Sequence, residues 1–179
     1  MNTNQEFIEY VLYIAHKCPW ITLTKLYKLL WFASIEYADL YGGILVKDVF
    51  MKKQFWPVPE LGKDYIDSVR GAYWQKDENI QITSKIVNGY EHICIEPLRE
   101  YDSEYFTEYD ISVLDTIIAK YGKERATDLS KLSHDTAWDT ARMHGKVDIT
   151  LDMKESKYKP IVEGLYDDIT LLAQAVKYA

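Results

Sequence analysis

Residues 21–33 read Ile-Thr-Leu-Thr-Lys-Leu-Tyr-Lys-Leu-Leu-Trp-Phe-Ala, and this stretch decides the fold. Its apolar residues recur at i, i+3, i+4 and i+7, the spacing of one helix face, at Leu26, Leu29, Leu30 and Ala33. Further bulky apolar residues on its other sides predict a helix enclosed by neighbours, namely Tyr27, Trp31, Phe32 and Ile35. Thr22 or Thr24 can cap its start and Gly42-Gly43 can stop it, so we expect a helix of about twenty residues.

Lys25 and Lys28 lie three residues apart on this helix and form a polar seam along it. Lysine is rarely buried completely, so the simplest interpretation is a core helix with two solvated lysines. A contact surface for a partner is the alternative.

The segments on either side of the central helix predict two more helices. Residues 3–17 are amphipathic, and Pro19 prevents that helix from continuing, so we expect it to pack antiparallel to the central one. Residues 48–55 favour a short strand or an irregular helical turn. Pro57 and Pro59 force extended geometry on the residues before them, which predicts a rigid surface turn at 56–59 and a third helix through about residue 69.

A β-hairpin is the clearest strand signal in the chain. Residues 80–87 and 90–95 are rich in isoleucine and valine, and Asn88-Gly89 between them is typical of a two-residue type I′ turn. Pro97 ends the second strand.

The last third of the chain returns to helical patterns. Thr107 with Asp110 predicts a capped helix that closes at Tyr121-Gly122. A short helix capped by Thr127 and another over 136–142, ended by Gly145, should follow, then a polar connection over 146–159. Pro160 should begin a terminal helix over about 160–178, with an apolar side formed by Ile161, Leu165, Ile169, Leu172 and Val176.

These elements predict one α+β domain over residues 1–179, mainly helical, built around a central buried helix with a small antiparallel hairpin. The hydrophobic content of 47% in 179 residues suits a single packed core. No run of eighteen apolar residues is present, the first residues lack a signal-peptide pattern, and two cysteines are too few for a disulfide framework. We therefore expect a cytoplasmic protein without a membrane association.

The net charge of −7 and pI near 5.1 make nucleic acid an unlikely partner, because phosphate contacts need a positive surface. They fit a basic protein partner better, and an aromatic content of 14% supplies interface anchors as well as core. One local patch keeps single-stranded nucleic acid open as an alternative, with Lys47, Lys52 and Lys53 among Phe50, Phe55 and Trp56.

No catalytic or metal signature emerges from the residues. Ser133-His134-Asp135 names a catalytic triad, but sequence neighbours point away from one another, and no G-x-S-x-G elbow is present. The His16/Cys18 and His92/Cys94 pairs lack the spacing of a common zinc site. We expect a protein that is not an enzyme and that needs no metal or cofactor.

Several segments, in order, resemble those of the Panacea domain, the family of SocA-like antitoxins. Residues 25–33, KLYKLLWFA, resemble its KLQKLLYFA-type opening, and Gly42-Gly43-Ile44-Leu45 occupies the place of its Gly-x-x-Leu segment. Residues 56–61, WPVPEL, resemble its Gly-Pro-Val-x-Pro motif, with Trp56 standing where the motif has glycine. Residues 128–138 resemble its Leu-Ser-x-x-(Ser/Thr)-His-x-x-x-x-Trp motif. The resemblance covers about residues 20–145.

This resemblance implies an antitoxin that binds and neutralises a cognate toxin encoded nearby. Some relatives act instead as adaptors that deliver the toxin to a protease, and a DNA-binding regulator is a further alternative. Since the matching segments include polar and aromatic residues that a core alone does not require, they are the candidate partner-binding residues: Lys25, Lys28, Trp31, Trp56, Pro57, His134 and Trp138.

Overall fold

The computed structural model describes residues 3–71, 76–132 and 134–178. Its helices are α1 (Thr3–Lys17), α2 (Leu23–Tyr41), α3 (Glu60–Gly71), α4 (Glu108–Tyr121), α5 (Ala126–Leu132), α6 (Thr136–Thr140) and α7 (Lys159–Tyr178). Two antiparallel pairs of strands accompany them, β1 (Phe50–Lys52) with β2 (Pro57–Pro59) and β3 (Ile80–Val87) with β4 (Tyr90–Pro97). Short 3₁₀ turns lie at Ser103–Tyr105, Ile149–Leu151 and Ser156–Tyr158. The predicted α+β fold, mainly helical, is confirmed.

The central helix α2 has the caps that its sequence predicts. Thr22 is the N-cap, and its hydroxyl accepts the Lys25 N–H at 3.3 Å. Gly42 ends the helix at φ 65°, where its N–H donates to the Ala38 carbonyl at 2.9 Å. A positive φ favours glycine, because a side chain there would be strained.

The core surrounds α2 on several sides. Its residues Leu26, Leu30 and Ala33 are completely buried, and the helix packs against α4, α5, β2 and β4. The first helix contacts α3 and β4 more extensively than α2, which differs from the predicted antiparallel pair. Because a helix buried on all sides has several neighbours, a short connection alone does not decide which one is nearest.

The surface turn predicted at 56–59 is wrong for residues 57–59, which form a buried strand, whereas Trp56 lies in a bend before it and is half-buried. Met51 of β1 lies opposite Val58 of β2, and Pro57, Val58 and Pro59 are all buried. The second edge of β1 is also occupied, since the Val147 N–H donates to the Phe50 carbonyl at 2.8 Å. Proline is tolerated in β2 because a two-stranded sheet leaves one edge without a ladder partner.

The segment 146–159, predicted as a polar connection, contributes to the core. Val147, Ile149 and Met153 are buried. Lys146 forms a bridge with Met51, so the segment begins as a short extension of the β1–β2 sheet. The segment was predicted to be a polar connection because charged residues outnumber its scattered apolar ones.

The β3–β4 hairpin follows its prediction closely. Asn88 and Gly89 have φ values of 53° and 80°, both in the left-handed region that a type I′ turn requires. The second strand includes Pro97, which pairs with Ile80. β4 joins the helical body where the Ile95 N–H donates to the Ile21 carbonyl at 3.0 Å and where Thr22 lies opposite Cys94.

Local capping rules succeed at α4 and fail at α5. Thr107 and Asp110 form the predicted capping box, with a 2.7 Å bond from the Thr107 N–H to the Asp110 carboxylate. The next helix begins at Ala126, one residue before its predicted cap Thr127. The following helix ends at Thr140 instead of continuing to residue 142.

The terminal helix α7 forms where predicted but buries a different face. Val162, Tyr166 and Ala173 are buried, and the Tyr166 hydroxyl accepts the Phe50 N–H at 2.8 Å. Four of the five residues on the predicted apolar side are exposed instead: Ile161, Leu165, Leu172 and Val176. The helix thus carries apolar residues on two sides, and the side that contains Tyr166 packs toward β1.

Candidate functional site

The seam of α2 connects this helix to the segment 122–135. Lys25 Nζ donates to the Gly122 carbonyl, and Lys28 Nζ donates to the Ala126 carbonyl at 2.6 Å. Trp31 is completely buried, and its Nε1 donates to Asp135 Oδ2 at 2.8 Å. These residues follow one another at intervals of three, so one side of α2 is tied along its length to the end of α4, to α5 and to the start of α6.

Lys28 is the most unusual member of the seam because its side chain is buried. Its exposed fraction is 0%, so the prediction of a solvated lysine is wrong at this position, while Lys25 remains partly exposed. Lys28 Nζ contacts the Ser130 hydroxyl as well as the Ala126 carbonyl, and it lies 4.7 Å from the centroid of the Trp56 ring. Burial lowers the pKa of Lys28 to about 8. The lysine therefore loses its proton more readily than an exposed lysine, although it is still mainly protonated at pH 7.

Trp56 lies over the buried lysine, and Pro57 lies below the surface. Trp56 is half-buried and stacks on Phe55 with ring centroids 5.5 Å apart. Pro57 is buried in β2, so it supports the position of Trp56 without lining the surface. The tryptophan that replaces the motif's glycine is thus a cation–π partner of Lys28.

His134 and Trp138 form a stacked pair beside this tryptophan. Their rings are nearly parallel, at an angle of 6°, and their centroids are 4.0 Å apart. His134 Nε2 donates to the Phe55 carbonyl at 2.9 Å. The Lys52 ammonium lies 4.0 Å from the centroid of the Trp138 ring. Trp138 Nε1 is buried without a hydrogen-bond partner among the described residues.

The structure brings most of the candidate residues together. We define the aromatic face as Phe55, Trp56, His134 and Trp138. Phe55 is 50% exposed and His134 is exposed, so this face is open to solvent on its outer side. Lys28 lies directly behind it, and Trp31 is connected to it through Asp135, the N-cap of α6. Lys25 lies nearer the start of α2, where it contacts the Gly122 carbonyl, and Pro57 lies in the buried strand.

Two carboxyl groups behind the aromatic face were missed by sequence reasoning. Asp135 Oδ1 accepts the Trp138 N–H at 3.0 Å, and Asp152 accepts the Ala137 N–H at 3.2 Å. Burial, together with the hydrogen bond and the negative charge of Asp135, raises the pKa of Asp152 to about 7. An aspartate before a short helix signals a cap at Asp135, but no local pattern points to Asp152.

The described residues form no arrangement typical of a metal site, and the triad-like sequence does not assemble among them. They contain no group of three or more histidine, cysteine, aspartate or glutamate residues arranged to hold a metal ion. His134 uses Nε2 for the backbone of Phe55, and Ser133, the first residue of the triad-like sequence, lies outside the described residues. In the described part of the chain, no helix combines the length and apolarity needed to cross a bilayer.

The comparisons with known proteins identify the family. The family described as antitoxin SocA-like, Panacea domain, matches residues 26–139. No curated protein and no solved structure matches the chain significantly. The matched region begins in α2, includes both strand pairs and ends in α6, so it contains every residue of the aromatic face. Because the match spans more than half of the chain, this protein belongs to the SocA-like antitoxin family with a Panacea domain.

Proposed function

We propose that this protein is an antitoxin that neutralises a cognate toxin, encoded by a neighbouring gene, by direct protein–protein binding. The observation that carries this proposal is the family match over residues 26–139. The role is one of binding in the cytoplasm, without catalysis and without a cofactor.

We propose further that the toxin docks on the aromatic face. Rigid aromatic side chains supported from behind are common centres of protein interfaces. Here Trp56 rests on Lys28 and Trp138 rests on His134, so both rings are held in place before a partner arrives. Preorganised anchors lose little conformational entropy on binding.

The candidate residues then divide into two roles. Trp56, His134 and Trp138 contact the toxin. Lys25, Lys28, Trp31 and Pro57 act as positioning residues, since their polar atoms or burial commit them to contacts within the protein.

A growth assay with co-purification tests the proposal. The product of each neighbouring gene is induced in bacteria with and without this protein, and the two proteins are then purified together. We expect growth arrest that co-expression relieves, with the two proteins eluting as one complex. Trp56→Ala should weaken the complex about thirtyfold, equivalent to about 2 kcal/mol, because it removes a central aromatic. Tyr109→Ala is the matched control, since Tyr109 is an exposed aromatic of α4 outside the aromatic face.

Other outcomes favour the alternatives. Relief of arrest without a stable complex, lost in a protease-deficient host, supports an adaptor that delivers the toxin for degradation. Tight, salt-sensitive binding to the protein's own promoter without any partner supports a DNA-binding regulator. If neither neighbouring gene product is toxic, the antitoxin proposal is wrong. If a folded Trp56→Ala variant binds the toxin with unchanged affinity, the toxin does not dock on the aromatic face, but the antitoxin role is not contradicted.

A further inference from the structure

A groove of about 960 Å³ lies between the α1–α2 turn, the tip of the β3–β4 hairpin and the connection from α4 to α5. We call it the hairpin groove. Lys25 is the one candidate residue named above that lines it, and no residue of the aromatic face does. It is a second surface, distinct from the one in the proposed function.

The hairpin groove is positive although the protein is acidic. Glu124 is the single acid among its described lining residues, whereas the cations that line it are Lys17, Lys25, Lys123 and Arg125. Lys17 pairs with Asp115 and Arg125 pairs with Asp128, so the excess positive charge of the described lining comes mainly from Lys25 and Lys123, which form no ion pair with a described carboxylate. Against a net charge of −7 for the whole chain, this local excess of cations complements a negative ligand.

An exposed tryptophan lies in the groove in a strained turn. The Ile21 N–H donates to the Cys18 carbonyl at 3.1 Å and closes a four-residue turn with Pro19 second and Trp20 third. Trp20 has φ 61°, a region that glycine favours at this position of a turn. Its side chain is 54% exposed, and the Lys85 ammonium lies 3.1 Å from its ring centroid. A bulky residue in such a backbone conformation is an outlier that points to a function.

The outer edge of β4 borders the same groove. That edge is bridged to the body at Thr22 and Cys94, and after Thr22 the chain turns away from it into α2, which begins at Leu23. Beyond the bridge, β4 continues to Tyr90, and Val87, Asn88 and His92 line the groove. An exposed strand edge can accept an extended peptide as an added strand.

We propose that the hairpin groove binds an extended acidic peptide segment. The segment adds a strand to β4 beyond Thr22, places an apolar side chain on Trp20 and directs its carboxylates toward Lys123 and Arg125. On the proposed function, which this inference deepens, the segment belongs to the cognate toxin. A peptide is favoured over single-stranded nucleic acid because the strand edge offers backbone hydrogen bonds that an extended peptide can pair with as an added strand.

Fluorescence anisotropy with the full chain tests the proposal. The probe is a fluorescein-labelled peptide of about ten residues that alternates glutamate and valine, long enough for one strand. We expect binding that weakens as salt rises. Trp20→Gly should weaken it about thirtyfold while the Tm stays the same or rises, because glycine adopts a positive φ without strain. Lys123→Glu should weaken binding about tenfold, as expected for reversal of one interfacial charge. Lys154→Glu, an exposed lysine of the segment before α7, is the matched control and should have no effect.

A second peptide separates strand pairing from simple charge attraction. Proline at two central valine positions keeps the charge but removes backbone donors, so this peptide should bind poorly. The proposal is overturned if the wild-type protein does not bind the alternating peptide, or if the proline peptide binds equally well. Unchanged affinity in both Trp20→Gly and Lys123→Glu overturns it too, as does tighter binding of a thymidine oligonucleotide of similar length.

Different results would contradict the antitoxin role and the peptide-binding role of the hairpin groove. Trp56→Ala lies outside the hairpin groove and should leave peptide binding unchanged. Loss of peptide binding with full relief of growth arrest contradicts the groove alone. Intact peptide binding without any relief of arrest contradicts the antitoxin role alone.

Discussion

At the scale of single residues, burial and ionisation oppose each other at Lys28. Its ammonium contacts a carbonyl, a hydroxyl and an indole ring, all of them neutral. The pKa of Lys28 falls to about 8 from its usual 10.5 because burial disfavours the charged form. The folded protein therefore binds fewer protons than the unfolded chain between these values. Consequently the free energy of unfolding should rise as pH increases from about 8 to 10.5.

Lys28→Met tests this opposition. Methionine keeps the length of the side chain and removes the buried charge, so we expect the free energy of unfolding at pH 7 to stay the same or rise by about 1 kcal/mol. The variant should also lose the rise in stability above pH 8. Lys28→Ala is the comparison, and it should lower stability by about 2 kcal/mol because it leaves a cavity behind Trp56. Urea denaturation at several pH values measures both variants. A loss of more than 2 kcal/mol in Lys28→Met would mean that the charge itself stabilises the fold.

At the scale of elements, the sequence predicts features that depend only on residues close together in the chain, such as helix caps and tight turns. Helix α2 begins and ends at its caps Thr22 and Gly42, and α4 begins at the Thr107–Asp110 box, because a cap needs only residues of the same turn. The hairpin turn at Asn88-Gly89 is equally local. The β2 strand was missed because its pairing with β1 decides its structure, and proline suggested a turn.

The connection of α1 to the segment after β4 depends on an ion pair that no local pattern indicates. Arg99 Nη2 lies 2.6 Å from Glu9 Oε1, and the Glu9 side chain is only 1% exposed. Although burial raises the pKa of Glu9, its hydrogen bonds with Arg99, Asp102 and Gln5 lower it by more, so the net pKa is below the usual range. The carboxylate is thus buried in its charged form.

Arg99→Ala should therefore destabilise the protein strongly. It leaves a buried carboxylate without its ionic partner, and we expect a loss of about 3 kcal/mol in the free energy of unfolding. The matched control is Lys63→Ala, which breaks the Lys63–Asp67 pair on the surface of α3 and should cost less than about 0.5 kcal/mol. Urea denaturation at pH 7 compares them. Equal losses in the two variants would mean that the Glu9–Arg99 pair is no more important than a surface pair.

At the scale of the whole molecule, the candidate site depends on contacts between distant segments. Lys28 and Ser130 are 102 residues apart in sequence, and Trp31 and Asp135 are 104 apart. The resemblance to a family selected most of these residues, but it did not say that Lys28 and Trp31 face inward. No sequence pattern pointed to Asp152, because it meets its partner Asp135 only after the chain has folded back from α6.

The orientation of α7 gives the sharpest difference between the sequence prediction and the structure. The predicted apolar side contains Ile161, which is 55% exposed, whereas its neighbour Val162 is completely buried. We expect Val162→Ala to lower the free energy of unfolding by about 2 kcal/mol, because it removes buried methyl groups and leaves a cavity. Ile161→Ala removes a larger side chain but should cost less than about 0.5 kcal/mol, as for most exposed positions. Denaturation of the two variants at one pH decides between the faces. The opposite order would place the predicted side against β1 and would move Tyr166 away from the Phe50 N–H that it now accepts.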